Sequence, residues 1–234
     1  MFRKSLKAAV CALAAGTALA ACGPVQPGAA AIIGHDRITV SKLDSTVDRW
    51  NKELPKYPQA QQVVQNAQAQ PGGNPGSIQP FDPSSPQRSA LFLLIEMRAW
   101  NELARQQKIS VSQGQVDAFV AQAGGRETIE TVIVAQGLPT SYADDFARTV
   151  VLQQAIDGRF GVNPKGATTP QEQVAGQRLM IALLAAAHRL GITVDPRYGT
   201  FDDKSMQLGP VCPQLSTPDS GTPDGPTGES KCQL

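Results

Sequence analysis

The sequence predicts a mostly α fold with a small β element: a multi-helix core, an N-terminal hairpin and a final strand. Three observations carry this. Apolar side chains recur at helical spacing in successive segments between residues 42 and 190. Two of those segments open on a capping residue followed three positions later by Glu or Gln. Short β-prone runs stand only at the two ends, around residues 31–40 and 192–194.

Taken in chain order, Ala31-Ile32-Ile33 and Ile38-Thr39-Val40 flank a turn at Gly34-His35, the pattern of a small hairpin. Ser41 is expected to cap a helix over about 42–54, with Leu43, Val47 and Trp50 on one face and Pro55 ending it. From Pro55 to Gln87 the composition shifts to Pro, Gln, Gly and Asn. Val63, Val64 and Ile78 are almost the sole aliphatic side chains there. Such a stretch buries too little apolar surface to offset its ordering entropy, so a loop is expected over about 55–85. Its Pro71–Ser85 part is expected to be mobile and its Tyr57–Gln70 part to prolong the helical region weakly.

The densest apolar stretch follows, opened by Ser85 as N-cap and Pro86 at the first helical position. Leu91, Phe92, Leu93, Leu94, Ile95, Met97, Trp100 and Leu103 leave this helix hydrophobic on nearly every face, which puts it at the centre of the core. Ser112-Gln113-Gly114-Gln115 is a capping box for a helix carrying Val116, Phe119 and Val120 inward and stopped by Gly124-Gly125. A short helix places Ile129, Val132 and Ile133 on one face and ends at Gly137. Another starts at Thr140 or Ser141, turns Tyr142, Phe146 and Val150 inward and ends near Gly158. Thr169-Pro170-Gln171-Glu172 combines N-cap, Pro at the first position and Glu at the third. The helix it opens carries Leu179, Leu183, Leu184 and Leu190 and stops at Gly191. Ile192-Thr193-Val194 then alternates as a strand, and a Pro/Gly-rich tail over 204–234 is expected to be disordered.

Composition excludes several function classes. The 234 residues carry a formal net charge of +1 with no basic block, so no electrostatic footprint for nucleic acid exists. Two histidines, four cysteines and no Cys-x-x-Cys leave no metal-ligand set, and no Gly-rich phosphate loop is present, so neither metal nor cofactor is expected. His188 sits in the last turn of a helix, where the dipole favours a cation, and His35 is a solvated turn residue. Asp144-Asp145 open a helix and Asp202-Asp203 begin the tail. Neither pair needs acid–base chemistry to explain it. Glu96 is the ionisable group expected nearest the core, partnered by Arg98 or Arg148. No catalytic residue is assigned, and no peptide-binding residue can be named.

The first residues place Arg3, Lys4 and Lys7 before an apolar run from Ala8 to about Ala15, the layout of a secretory signal peptide over 1–21. The run falls short of the ~20 residues a bilayer span requires. Leu19-Ala20-Ala21-Cys22 resembles the lipobox of bacterial lipoproteins, in which the cysteine becomes the first mature residue and carries acyl chains such as palmitate. Two or three chains anchor stably where one does not, at ~0.8 kcal/mol per buried CH₂. Ordinary cleavage after Ala18 or Ala20 also fits and would leave Cys22 a free thiol. Residues 22–30 then form a Gly/Pro/Ala leash. Cleavage before Cys22 removes three cations and takes the formal charge from +1 to −2. Cys11 leaves with the signal. Cys212 and Cys232 either pair as a disulfide closing a loop of ~20 residues, worth ~3 kcal/mol in the entropic model, or remain free.

Ile38-Thr39-Val40-Ser41-Lys42-Leu43-Asp44, Ile109-Ser110-Val111-Ser112 with Val116-Asp117, and Val194-Asp195-Pro196-Arg197-Tyr198-Gly199 occur in an order that is recognisable. Over residues 31–203 the chain resembles the N-terminal chaperone domain of SurA and PrsA-type extracytoplasmic foldases, particularly the lipoprotein forms of actinobacteria. Two departures stand out. The family's Asn-Gly hairpin turn is Gly34-His35 here. The parvulin-type prolyl isomerase domain that many members insert before the last helix has no room, since only about ten residues separate Gly158 from Thr169. The resemblance implies a non-catalytic lipoprotein on the extracytoplasmic face of the cell membrane that binds exported unfolded polypeptides in an apolar cleft. An exposed apolar patch in the groove between the sheet and the long helix would support that reading. A scaffold for one dedicated envelope protein and a residual prolyl isomerase are the alternatives.

The anchor assignment is directly testable. Cys22→Ala is expected to move the protein from the detergent phase of a membrane extract to the soluble envelope fraction or the medium, and unchanged partitioning overturns the assignment.

Overall fold

A computed structural model describes residues 28–69, 82, 84–163, 166 and 169–211. The signal peptide, Cys22, Cys212 and Cys232 lie outside the described residues. Within them the protein is mostly helical, with seven α-helices and two small antiparallel sheets.

Strands β1 (Ala29–Ile33) and β2 (Asp36–Thr39) form the expected hairpin, with Ile33 facing Asp36 across the two-residue turn. Gly34 has φ +61° while His35 stays at negative φ, as a Gly-first type II′ turn requires. The strand begins earlier than the leash expectation allowed: Ala29 and Ala30 are fully buried, so residues 29–30 belong to the sheet. A bulge at Ala30 turns its carbonyl toward the last strand, where it accepts the Asp195 N–H at 2.9 Å. Strand β3 (Thr193–Val194) pairs antiparallel with β1, giving the order β2-β1-β3.

Helix α1 (Val40–Glu53) starts two residues before the expected boundary. Its cap is Thr39, whose hydroxyl accepts the Lys42 N–H at 3.1 Å, and Ser41 lies inside the first turn. Its buried face is the expected one, Leu43, Val47 and Trp50. The Trp50 indole N–H donates to the Val134 carbonyl at 2.7 Å, so a buried polar group of α1 is satisfied 84 residues away. After a 3₁₀ turn over Leu54–Lys56, α2 (Pro58–Ala69) is a full helix that buries Ala60 and Val64, the extension expected over Tyr57–Gln70, so the loop expected over about 55–85 does not begin at 55. The Asp82 carboxylate accepts from Ser84, and the Ser89 hydroxyl contacts the Asp82 backbone, which orders the approach to the next helix.

Helix α3 (Pro86–Gln106) buries eleven residues, from Ala90 to Ala104. Against it pack α1, α6 (Ala143–Phe160) and α7 (Pro170–Leu190), while α4 (Gln113–Gln122) and α5 (Arg126–Ala135) pack on α6, and α5 also on α2. Both predicted capping boxes form, Ser112 with Gln115 and Thr169 with Glu172. Helix α6 runs past Gly158 to Phe160 and stops at Gly161, which adopts the left-handed conformation. On α5 the buried residues are Ile129, Ile133 and Val134, whereas Val132 faces solvent. On α6 the deepest positions are Ala143, Ala147, Val151, Leu152 and Ile156, with Tyr142, Phe146 and Val150 only half-buried. The small alanines let the helices approach closely and leave the aromatic rings at the margin.

The chain does not become irregular at residue 204. Strands β4 (Phe201–Asp202) and β5 (Gln207–Leu208) form a second hairpin with Met206 and Leu208 buried. Arg88, at the start of α3, donates to the carbonyls of Leu208 at 3.2 Å and Gly209 at 3.0 Å and so clamps this hairpin to the core. Gly199 makes the clamp possible. Its φ is +97°, and a Cβ there would stand 2.3 Å from the Gly209 oxygen and 2.9 Å from the Arg88 guanidinium.

Gly199→Ala is therefore expected to cost about 2–3 kcal/mol, from backbone strain and loss of the clamp. Thermal unfolding checks it, and a Tm equal to the parent's would show that the hairpin bears no part of the stability.

Candidate functional site

The sheet packs closely on the long helix. Ala30, Ala31 and Ile33 are buried in one cluster with Leu91, Ile95 and Leu43. The opening beside them, a groove of about 540 Å³, is lined by Gly28, Thr39, Val40, Ser41, Asp44, Ser45 and Asp48, which offer hydroxyls and carboxylates beside one aliphatic side chain.

Exposed aliphatic surface lies instead on the outside of α7. The inner face of this helix, Ala175, Leu179, Leu183, Ala186 and Ala187, packs against α3 and α6 with Trp100, Leu103, Leu152 and Ile156. Turned away from it are Val174, Met180 and Ile181, 43%, 52% and 67% exposed. Half-buried Leu184 continues the row. At 100° per residue Val174, Ile181 and Leu184 share the outward face and Met180 flanks it. Large aliphatics aligned in this way differ from the isolated exposed leucines found on any soluble surface. After Glu172 the helix has no acidic residue, and it carries the cations Arg178 and Arg189.

The ionisable residues singled out in the sequence take structural positions. His188 Nδ1 lies 2.5 Å from Asp203 Oδ2, tying the end of α7 to the β4–β5 turn, with both side chains solvated. Asp202 accepts from the Lys204 N–H and the Ser205 hydroxyl, which holds its carboxyl below the usual aspartate range. Asp144 and Asp145 stand in the first turn of α6, and Asp144 pairs with Arg126 at 2.8 Å. His35 is exposed in its turn. Among the described residues no three His, Cys, Asp or Glu side chains converge. No helix there is long and apolar enough to cross a membrane.

Glu96 is buried as expected, at 7% exposure, but neither proposed arginine reaches it. Arg98 pairs with Asp36 at 3.1 Å, and Arg148 donates to the Val111 carbonyl and to Gln113. The partner of Glu96 is the Trp100 indole N–H at 3.3 Å, one turn on. A neutral donor compensates a charge poorly, so burial pushes the Glu96 carboxyl above its ordinary value.

Because the folded state holds this proton more tightly than the unfolded chain, the contribution of Glu96 to stability is greatest in acid. It is lost as pH climbs from the ordinary value of 4.5 through the raised folded value. Glu96→Gln keeps an oxygen for Trp100 and removes the charge. It is expected to stabilise at neutral pH by on the order of 1–3 kcal/mol, read as a rise in Tm. Below the ordinary glutamate range the two proteins should unfold together. A variant no more stable at neutral pH would place the charge in water.

No family model, curated protein or solved structure matches the chain.

Proposed function

We propose that the chain is a membrane-anchored extracytoplasmic lipoprotein that binds exported unfolded polypeptides in a chaperone-like, non-catalytic manner. The observation that carries the reading is the aliphatic outer face of α7, where Val174, Met180 and Ile181 stand in water on a rigid helix. The energy a solvated apolar row offers is realised only when another apolar surface covers it. Export follows from Arg3, Lys4, Lys7 and the apolar run after them, and anchoring from Cys22 at the end of a lipobox-like sequence. The order of the Ile38–Asp44, Ile109–Asp117 and Val194–Gly199 motifs agrees with a SurA-type N-terminal chaperone domain whose isomerase has no counterpart here.

The buried surfaces of the domain are committed to its own core, while the α7 face is solvated and carries no nucleophile paired with a base. Binding without bond-making is the chemistry such a surface supports. Its partners in this reading are exported chains before they fold, presented at the membrane surface by the lipid on Cys22.

The test is suppression of light scattering as a denatured exported protein is diluted into buffer with the mature chain. Suppression is expected for the parent. The variant Met180→Asp/Ile181→Asp should need about tenfold more protein for the same effect at unchanged Tm, since two aliphatic contacts are replaced by charges. No suppression, together with one stoichiometric protein retained from envelope extracts, would replace this reading with a scaffold for a dedicated partner.

A further inference from the structure

The same face carries a charge asymmetry that narrows what it binds, and this inference rests on the reading just given. From Gln173 to Leu190 the helix contains no Asp or Glu, whereas Arg178 and Arg189 are both exposed. Eleven residues separate them, three turns to within about 20°, so they lie on one flank of the row formed by Val174, Ile181 and half-buried Leu184, on the side opposite Met180. Arg178 makes no ion pair among the described residues. Arg189 has only the nearby Glu102, whose carboxylate is already held by Arg105 and Gln106. The acidic groups at the rim are likewise taken: Glu172 caps α7 through Thr169, and Asp203 meets His188. The face therefore offers aliphatic surface bordered by two cations, neither of which is in an ion pair among the described residues.

Its length sets the size of the occupant. Val174 to Ala185 spans about 16 Å along the helix axis, at 1.5 Å per residue. An extended chain covers that distance in about five residues, three of whose side chains point the same way. We infer that the α7 face takes short extended segments, alternately apolar over about five residues and flanked on one side by Asp or Glu. A positively charged flank would meet Arg178 and Arg189 and be rejected by like charge. The selectivity is electrostatic at an exposed site, so it weakens with salt while the apolar contact does not.

Fluorescence anisotropy with dye-labelled 12-residue peptides tests this on the full mature chain. The peptides share one Val/Leu/Ile core and carry either acidic or Lys flanks. At low ionic strength the acidic peptide is expected to bind about fivefold more tightly, the difference two solvated ion pairs make. Near 1 M salt, where the Debye length is about 3 Å, the two affinities should converge. Arg178→Glu should abolish or reverse the preference while leaving apolar binding in high salt intact. Ile181→Asp should weaken both peptides about tenfold. Ile181 is two-thirds exposed, so this variant should fold, which its Tm verifies. Equal binding of both peptides, lost together in Ile181→Asp, would overturn the charge preference and leave the client-binding reading standing. Binding of neither peptide, or binding indifferent to Ile181→Asp, would overturn both.

Discussion

Everything in this fold leans on the burial of one helix. Helix α3 runs through both apolar clusters. Its first half, Ala90 to Met97, packs with the sheet and α1 in a cluster that extends to α4 and α5, and its second half, Ala99 to Ala104, packs with α6 and α7. A helix buried on nearly every side must be surrounded, and three or four partner helices cannot be supplied by neighbours in sequence alone. The chain therefore wraps: α1 precedes α3, α4 to α7 follow it, and the β1–β3 pairing joins residues 31–32 to 193–194. Polar groups drawn into this arrangement find partners far along the chain, as Trp50 does at Val134 and Arg88 at Leu208 and Gly209. None of the buried side-chain polar atoms described lacks a hydrogen bond.

Much of this was legible locally. A capping box is a three-residue contact, and Ser112–Gln115 and Thr169–Glu172 form where their spacing requires. The Gly34-His35 turn and the central place of residues 91–103 were equally readable, from φ preference and from apolar density. What escaped depends on distance. Thr39 and Ser41 are both good caps in sequence, and the choice of Thr39 follows from the sheet, where the Val40 N–H bonds the Gly28 carbonyl at 3.0 Å and fixes where the strand stops. The β4–β5 hairpin holds two buried apolar side chains and is secured by an arginine about 120 residues upstream, a contact no local pattern encodes. Glu96 was correctly placed near the core, yet proximity in sequence suggested Arg98, which points to the hairpin and pairs with Asp36.

The α7 face was the least legible feature, for a related reason. Periodicity marks which residues of a helix share a side and says nothing about whether that side meets another element. Residues 174–184 are rich in aliphatics all round, and only the packing of Leu179 and Leu183 against α3 and α6 reveals that Val174, Met180 and Ile181 are surplus to the core. Beside the sheet the converse holds: Ala29, Ala30 and Ala31 are small enough for strand and helix to close together, a closeness their own sequence pattern does not reveal.

The position of β1 carries a consequence for the order in which the molecule can be made. It is the first of the described elements and the middle strand of its sheet, and its second neighbour consists of residues 193–194. A ribosome delivers the N-terminus first, so the Ala31–Ile32 edge waits, with its amides and carbonyls open, while more than 150 intervening residues are synthesised. For that interval the nascent protein carries an unprotected apolar strand edge, a template for pairing with any extended neighbour. A protein read as a guardian of unfinished chains is, on this topology, an unfinished chain in need of guarding for most of its own synthesis.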